Sequence, residues 1–117
     1  MLASGIGSVT SATIGSDPHQ YIVDLTGVTN AQSITVSLAN VQDIAGNVSS
    51  NISRQMGVLI GDTTADTFVN SGDIAQTKSQ SGTVVGASNF RVDVTVDGNL
   101  NSGDIGLVKS KSGTALP

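Results

Sequence analysis

The first half of the chain alternates between apolar and polar positions, a pattern typical of strands that bury one face. The alternation is clearest in residues 20–26 and 33–38. Two further strands are expected at about 7–14 and 53–60. Glycine, asparagine and aspartate are concentrated between these segments, which marks turns. The pattern predicts four short strands, part of an antiparallel β-sandwich.

The second half lacks this alternation and contains two short helical segments. They are expected at about 72–80 and 103–111, each opened by Ser-Gly and ended by a glycine, Gly82 or Gly113. Serine and threonine recur within both, so neither is a strong helix former, and both are expected to depend on a metal ion that fixes their first turn and on packing between the two copies. The side chains expected in that core are Val69, Ile74, Leu100, Ile105 and Val108, with Phe68 and Phe90 added.

The composition limits the classes of protein that fit. The chain has 117 residues, 38% of them apolar, which allows one ordinary domain or two small ones with a modest core. The absence of cysteine excludes disulfides, thiolate zinc sites and cysteine catalysis. A net charge of −4 excludes a basic nucleic-acid-binding surface, and the apolar runs are too short to span a membrane. All nine acidic residues are aspartate, which favours turns and metal loops.

The second half is an internal duplication with a spacing of 31 residues. Residues 62–83 align with 93–114, and 13 of the 22 paired positions are identical. Composition alone does not give such identity, so the two segments are copies of one repeat.

Each copy carries side-chain oxygens at the first, third, fifth, ninth and twelfth places of a twelve-residue loop. Calcium binds about six to eight oxygens, and a tightly wound loop can aim alternate side chains inward while the seventh residue offers its carbonyl. Three aspartates in one loop repel one another without a cation, so metal binding and folding should be coupled. The sequence predicts two calcium ions. The expected ligands are Asp62, Thr64, Asp66, Phe68, Asn70 and Asp73 in the first loop, and Asp93, Thr95, Asp97, Asn99, Asn101 and Asp104 in the second.

The two loops differ at the sixth place, where the chain must turn sharply. The second loop has Gly98 there, whereas the first has Thr67, so weaker binding is expected in the first loop. The third place is threonine in both, and a neutral hydroxyl is a poorer calcium donor than a carboxylate, which predicts a modest affinity.

The loop spacing is close to that of an EF-hand, but aspartate occupies the twelfth place and no long helix precedes the loop. With the repeated Asn-Ser-Gly-Asp-Ile, Lys-Ser and Ser-Gly-Thr strings, residues 61–117 resemble a dockerin. Residues 1–60 resemble the C-terminal part of a bacterial immunoglobulin-like domain, chiefly through segments 34–38 and 41–47. The expected fold therefore has two modules, a partial antiparallel immunoglobulin-like β-sandwich followed by a small α-helical dockerin with two calcium loop–helix repeats.

The resemblance implies a calcium-dependent, non-catalytic binding module. It would anchor its parent protein to a cohesin-type domain in a bacterial extracellular or cell-surface assembly. Dockerins contact their partner through the tenth and eleventh loop places and the following helix, and two similar faces would permit docking in two orientations. The matching residues here are Ser71, Gly72, Lys78 and Ser79, and Ser102, Gly103, Lys109 and Ser110.

Several alternatives remain open. The aspartates could form ordinary Asx turns, and the Lys-Ser pairs could be a solvated helix face. The half sandwich could instead belong to a calcium-stabilised adhesin or fibre, self-associating by strand addition at its open sheet edge. An enzyme is not expected, because the lone His19 has no positioned nucleophile beside it.

Overall fold

The computed structural model describes residues 2–117, which divide into two compact units between Val58 and Leu59. The first unit is built of strands, and the α-helices lie in the second. The coarse order that the sequence predicts, a β part followed by a small helical part, is confirmed. Within the described residues, no helix combines the length and the apolar character needed to cross a membrane.

The first unit consists of two antiparallel sheets. Its strands are β1 (Leu2–Ser4), β2 (Ser8–Ile14), β3 (Tyr21–Thr26), β4 (Gln32–Gln42) and β5 (Val48–Val58). One sheet has the strand order β1–β4–β5, and the other pairs β2 with β3. The chain thus contains β1 in addition to the four strands that the pattern predicts.

The β4–β5 pair is longer than the sequence pattern predicts. Its register is regular from Gln32 opposite Val58 to Gln42 opposite Val48. Residues 48–52 are rich in serine and asparagine, which have low strand propensity. These residues are nevertheless extended, because they belong to β5, which pairs with β4 along its length.

The apolar face of the β1–β4–β5 sheet is only partly covered. Ile34 in β4 is 1% exposed and is the one fully buried apolar side chain described in this unit. On β5, Val48, Ile52 and Met56 remain 60%, 43% and 53% exposed. β5 is paired on one side only, by β4, so its other edge is open within the described chain.

A tight turn built on Asp43 closes the β4–β5 hairpin. Oδ1 of Asp43 accepts hydrogen bonds from the N–H groups of Ala45 and Asn47 at 2.9 Å, and Oδ2 accepts from the Asn47 side-chain amide at 2.7 Å. Gly46 has φ +88°, the left-handed conformation that three-residue hairpin loops require. The Asn47 side-chain amide, followed by the Asn47 N–H, holds the pKa of the Asp43 carboxyl below its ordinary value.

We expect Asp43→Ala to lower the stability of the first unit at neutral pH. The folded pKa is depressed, so the contribution of Asp43 is complete above the unfolded value of 3.8 and is lost as the pH falls below it. The difference between wild type and variant should therefore shrink as the pH is lowered from about 4. Tyr21 is the only tyrosine and there is no tryptophan, so tyrosine fluorescence during denaturant unfolding reports this unit. A difference that grows towards acid pH would contradict this role.

In the second unit, each helix begins with an asparagine cap. The elements are α1 (Ser71–Gln80), a 3-10 turn (Phe90–Val92) and α2 (Ser102–Lys111). The Asn70 side chain accepts from the Gly72 N–H at 2.7 Å, while the Asp73 carboxylate accepts from the Asn70 N–H at 2.8 Å. Asn101 and Asp104 form the same capping box at α2. Gly82 and Gly113 follow the two helices with φ +86° and +93°, as their role as helix terminators predicts.

The core of the second unit is small and aliphatic. Its buried apolar side chains are Val69, Val92, Leu100 and Val108, each at most 3% exposed. The expectation that Phe68 and Phe90 join this core is wrong, since they are 56% and 63% exposed. Phe68 precedes Val69 in an extended segment, where neighbouring side chains point in opposite directions. Ile74 and Ile105 are half-buried.

The segment after each helix is hydrogen-bonded to the loop of the other repeat. The Val69 N–H donates to the Thr114 carbonyl, and the Gly113 N–H donates to the Val69 carbonyl, both at 2.8 Å. At the equivalent place, the Gly82 N–H donates to the Leu100 carbonyl at 2.7 Å. The two repeats therefore complete one another's backbone hydrogen bonding.

Thr77 and Val108 occupy equivalent buried positions on the two helices. Both are at most 1% exposed. The Thr77 hydroxyl donates to the Asp73 carbonyl within the same helix at 2.7 Å. That carbonyl can still accept the ordinary helical N–H bond if the hydroxyl is removed.

We expect Thr77→Val to raise the stability of the second unit by up to about 1 kcal/mol, because a methyl group replaces a buried hydroxyl. The matched variant Val108→Thr should lower stability by about 1–2 kcal/mol, because it buries a new hydroxyl. Circular dichroism at 222 nm during denaturant unfolding measures both, since the helices lie in this unit. A loss on Thr77→Val as large as that on Val108→Thr would refute the expectation.

Candidate metal centre

Three carboxylates of the first loop converge on one point. One oxygen from each of Asp62, Asp66 and Asp73 lies within 4.8 Å of the other two. Asp73 is buried, Asp62 is half-buried and Asp66 is exposed. The group therefore opens to solvent on one side and is enclosed on the other.

Backbone N–H groups hold the first two of these carboxylates in place. Asp62 accepts from the N–H groups of Asp66 and Thr67 at 3.1 and 3.0 Å, one to each oxygen. Asp66 in turn accepts from the Phe68 N–H at 2.9 Å. The Asp66–Phe68 bond is of the Asx type, whereas the two Asp62 bonds span four and five residues, so that one short carboxylate bends a longer stretch of chain around itself. The bend brings alternate side chains of the loop to the same side.

Asp73 is fixed by both the loop and the helix. Its side chain is 0% exposed, and this burial alone would raise the pKa of its carboxyl group. The Thr64 N–H at 3.0 Å, the Asn70 N–H at 2.8 Å and the Thr64 hydroxyl at 3.0 Å donate to the carboxylate. Together these donors hold the pKa of Asp73 below its ordinary value. The carboxylate is thus kept ionised where it joins the loop to the first turn of α1.

In the described part of the chain, no basic side chain lies within 4.0 Å of the converging carboxylates. Among residues 2–117, the one contact within 4.0 Å between a basic side chain and a carboxylate joins His19 to Asp17, in the first unit. Two unit charges at such separations repel by on the order of 1 kcal/mol in water, and by more where water is excluded. A cation at this point would remove the repulsion.

The second loop repeats most of these hydrogen bonds. Asp93 accepts from the N–H groups of Asp97 and Gly98 at 3.2 and 2.9 Å, and Asp104 accepts from the Thr95 N–H at 3.1 Å. Burial opposes the charge on Asp104, but its donors, led by the Asn101 N–H, hold its pKa below the ordinary value. Within the described chain, however, the first loop alone brings three carboxylates within 4.8 Å of one another.

The predicted threonine ligands point at the aspartate in the twelfth place. The Thr64 hydroxyl donates to Asp73 at 3.0 Å, and the Thr95 hydroxyl donates to Asp104 at 2.9 Å. The hydroxyl oxygens therefore lie beside the acidic groups. Their lone pairs would be free to face a cation while the protons remain on the carboxylates.

The predicted ligands at the ninth place have a second role that the sequence analysis missed. The side-chain oxygens of Asn70 and Asn101 accept from the N–H groups of Gly72 and Gly103 and so cap the helices. The Asn70 amide also donates to Asp66 at 3.3 Å. The Asn-x-x-Asp spacing, which is that of a capping box, is the signal that could have predicted this.

The predicted seventh-place residues lie where the loops meet the other repeat. Phe68 forms an antiparallel β-bridge with Ala115, and Asn99 forms one with Val84. Their N–H groups donate to the fifth-place aspartates, Asp66 and Asp97. Their carbonyls remain expected ligands.

The residues predicted to contact a partner are all exposed. They are Ser71, Gly72, Lys78, Ser79, Ser102, Gly103, Lys109 and Ser110. The hydroxyls of Ser79 and Ser110 donate within their own helices, to Gln76 and Leu107, at 2.7 Å. The two lysines are therefore the more available recognition groups on these helix faces.

The residues of each loop suit a hard cation. The donor set consists of oxygens, with three aspartates per loop, and calcium prefers oxygen ligands in a flexible geometry. In the first loop three carboxylates converge, and no basic side chain among the described residues pairs with them. An ordinary surface turn does not require such a convergence. The residues present thus fit a divalent ion such as calcium.

The comparisons with known proteins are negative. No protein-family model, curated protein or solved structure matches the chain.

We expect Thr67→Gly to stabilise the first loop. Thr67 has φ +74°, a conformation that costs a β-branched residue about 1–3 kcal/mol and glycine almost nothing. The variant should raise the unfolding free energy by about 1 kcal/mol after the added chain entropy of glycine is subtracted, and should tighten calcium binding. Gly98→Thr is the matched reverse change, since Gly98 has φ +80°. Denaturant unfolding followed by circular dichroism at 222 nm should show a higher unfolding free energy for Thr67→Gly and a lower one for Gly98→Thr. A change of the same sign in both variants would refute the explanation.

Proposed function

We propose that the chain carries a calcium-dependent, non-catalytic binding module in its second unit, of the dockerin type that its sequence resembles. The observation that carries the proposal is the convergence of Asp62, Asp66 and Asp73 within 4.8 Å, with no basic side chain of residues 2–117 within 4.0 Å of them. The second loop, with the same residue types and similar hydrogen bonds, would hold a second ion.

The chain's own residues would use the cation to order a small domain. A bound calcium ion would neutralise the converging carboxylates of a loop. Asp73 and Asp104 would then transmit this order directly to α1 and α2, because each carboxylate also accepts the N–H of the residue that caps its helix. Few apolar side chains are buried in this unit, so such support would matter for its folding.

The ordered helices would present two similar recognition faces. Lys78 and Lys109 occupy equivalent exposed positions near the C-terminal ends of α1 and α2. Positive charge there also favours the helix dipole. A cohesin-type domain, extracellular or on a cell surface, is the partner that the resemblance supports, and two equivalent faces would permit docking in two orientations.

A structural role is the second candidate, favoured by the open edge of β5 and its exposed apolar side chains. An open cleft of about 720 Å³ in the first unit is lined in part by Ile14, Tyr21, Leu38 and Ile52. An incomplete immunoglobulin-like sandwich in a surface fibre would expose such a cleft until a strand from a neighbouring subunit filled it.

Calcium dependence is the decisive test of the binding module. We expect the full chain to melt at a higher temperature in excess calcium than in chelator. At free calcium a hundredfold above Kd, each occupied site should add about 2.7 kcal/mol to the free energy of unfolding. The double variant Asp62→Asn/Asp93→Asn should lose this shift, because each loop loses a charge at its first place. Circular dichroism at 222 nm follows the helices.

Partner binding is then tested by calorimetry with purified cohesin domains. Capture in calcium, its loss in chelator and weaker capture by Lys78→Ala/Lys109→Ala would support the binding module. Calcium-independent multimers on size exclusion, without cohesin binding, would instead favour the fibre. If the melting temperature of the wild-type chain does not change with calcium, the proposal of a metal-dependent module is wrong.

A further inference from the structure

One pair of neighbouring residues in the second loop differs chemically from every other pair in the chain. Asp97 is the one aspartate or asparagine in the sequence that is followed by glycine, Gly98. Every other aspartate is followed by proline, leucine or a β-branched residue. These following residues are Pro18, Leu25, Ile44, Thr63, Thr67, Ile74, Val94 and Ile105.

The residue after an aspartate decides whether the side chain can react with the backbone. The carboxyl carbon lies one bond too far for a direct backbone contact, but it can close a five-membered ring with the next nitrogen. A β-branched side chain crowds that nitrogen, and proline has no N–H to lose. Glycine has no Cβ and leaves the nitrogen accessible. The sequence therefore contains one pair, Asp97 and Gly98, that meets the requirement.

The structure leaves this pair uncrowded. Asp97 and Gly98 are both exposed. A Cβ built on Gly98 would have no neighbouring atom within 4 Å, so no packed side chain opposes a bend of the chain at this position. Solvent, which must supply a proton and a water molecule, reaches both residues.

The second loop also lacks a backbone restraint that the first loop has at the same place. The Thr67 carbonyl accepts from the Leu116 N–H at 3.0 Å, which fixes the peptide unit that follows Thr67. Within residues 2–117, the Gly98 carbonyl accepts no backbone hydrogen bond. The chain around Gly98 is therefore freer to rotate than the chain around Thr67.

The restraints that remain at Gly98 are exposed polar contacts inside the loop. The Gly98 N–H donates to the Asp93 carboxylate at 2.9 Å, and the Asn99 N–H donates to the Asp97 carboxylate at 2.8 Å. Hydrogen bonds of this kind open by local fluctuation, without unfolding of the surrounding unit. The folded chain can therefore bring the Gly98 nitrogen to the Asp97 side chain.

We propose that Asp97 isomerises spontaneously to isoaspartate and is the principal site of this modification in the chain. The Gly98 nitrogen attacks Cγ of Asp97 and forms an N–Cγ bond. One carboxylate oxygen, the N–H hydrogen and a solvent proton leave as water, which gives a succinimide. Water then adds to the backbone carbonyl carbon of Asp97, the bond from that carbon to the Gly98 nitrogen breaks, and a proton returns to solvent. The chain now runs through Cγ, with no net gain or loss of atoms or electrons.

The product changes the shape of the second loop. Isoaspartate adds one carbon to the backbone and attaches the free carboxylate directly to Cα, so the turn bond between Asp97 and the Asn99 N–H loses its geometry. The reaction requires no cation and stands apart from the proposed function. Where that function holds, ageing would displace the fifth-place ligand of the second loop and leave the first loop intact.

The test follows isoaspartate in the full chain during incubation at neutral pH and physiological temperature in chelator. Trypsin cleaves after lysine and arginine, so the two loops fall in separate peptides, 55–78 and 92–109. Fragmentation by electron transfer distinguishes isoaspartate from aspartate at each position. We expect isoaspartate to accumulate at Asp97, while the peptide with the first loop stays unmodified.

Reciprocal variants move the reaction between the loops. Gly98→Thr should abolish isoaspartate at Asp97, because the nitrogen is then crowded. Thr67→Gly should create a reactive pair at Asp66, in a variant that glycine relieves of backbone strain. Circular dichroism at 222 nm checks folding, and the Thr67→Gly variant carries the test if Gly98→Thr does not fold.

A further pair tests the backbone restraint. In the Thr67→Gly background, Leu116→Pro removes the N–H that holds the carbonyl of residue 67, and Leu116→Ala keeps it. Isoaspartate at Asp66 should form faster with Leu116→Pro than with Leu116→Ala. Equal rates in two folded variants would overturn the role assigned to this hydrogen bond.

The location of the modified residue decides the proposal. Isoaspartate that accumulates at Asp97 in the wild-type chain, and additionally at Asp66 in Thr67→Gly, would support it. Aged wild-type protein with no isoaspartate at Asp97, or with as much in the first loop as in the second, would overturn it. Neither result depends on whether the loops bind calcium, so the proposed function is tested separately.

Discussion

The second unit depends on a buried carboxylate at the start of each helix. Asp73 and Asp104 are both 0% exposed, and an ionised group in such a place must have its oxygens satisfied. Each accepts from a threonine N–H and hydroxyl at the third loop place and from the asparagine N–H that begins the capping box. One side chain therefore closes the loop and starts the helix, so the two cannot form independently.

This arrangement explains why helices of poor intrinsic propensity are formed. Short, serine-rich and glycine-rich helices are marginal by themselves, and the unit buries few large apolar side chains. Local order comes instead from polar contacts whose geometry is fixed by the loop. The cost is electrostatic, because Asp62 and Asp66 are held beside Asp73 in the first loop. A fold that gathers like charges in this way would gain stability from a cation bound between them.

Much of this unit could be predicted from the sequence because its information is local. A 31-residue spacing, alternate oxygen-bearing side chains and a glycine after each helix all concern residues close together in the chain. Phe68 and Phe90 were wrongly assigned to the core because burial there depends on how the repeats pack, which hydrophobicity alone does not specify. The same reason applies to β5, whose first residues are extended through pairing with β4 and not through their own propensity. The helix cap formed by Asn70 could have been predicted from the Asn-x-x-Asp spacing, but the sequence analysis assigned the Asn70 side chain to metal binding.

The sixth place of the loops illustrates how local and non-local effects can oppose each other. Local conformational preference favours the second loop, since Gly98 accepts φ +80° and Thr67 must adopt φ +74°. The surrounding structure favours the first, because the Thr67 carbonyl and both backbone groups of Val69 are bonded to the segment after α2. Those bonds offset the strain at Thr67, and it is in this loop that the three carboxylates converge most closely. The shape of the first loop in this unit is therefore a property of the pair of repeats, because residues of the second repeat hold its backbone.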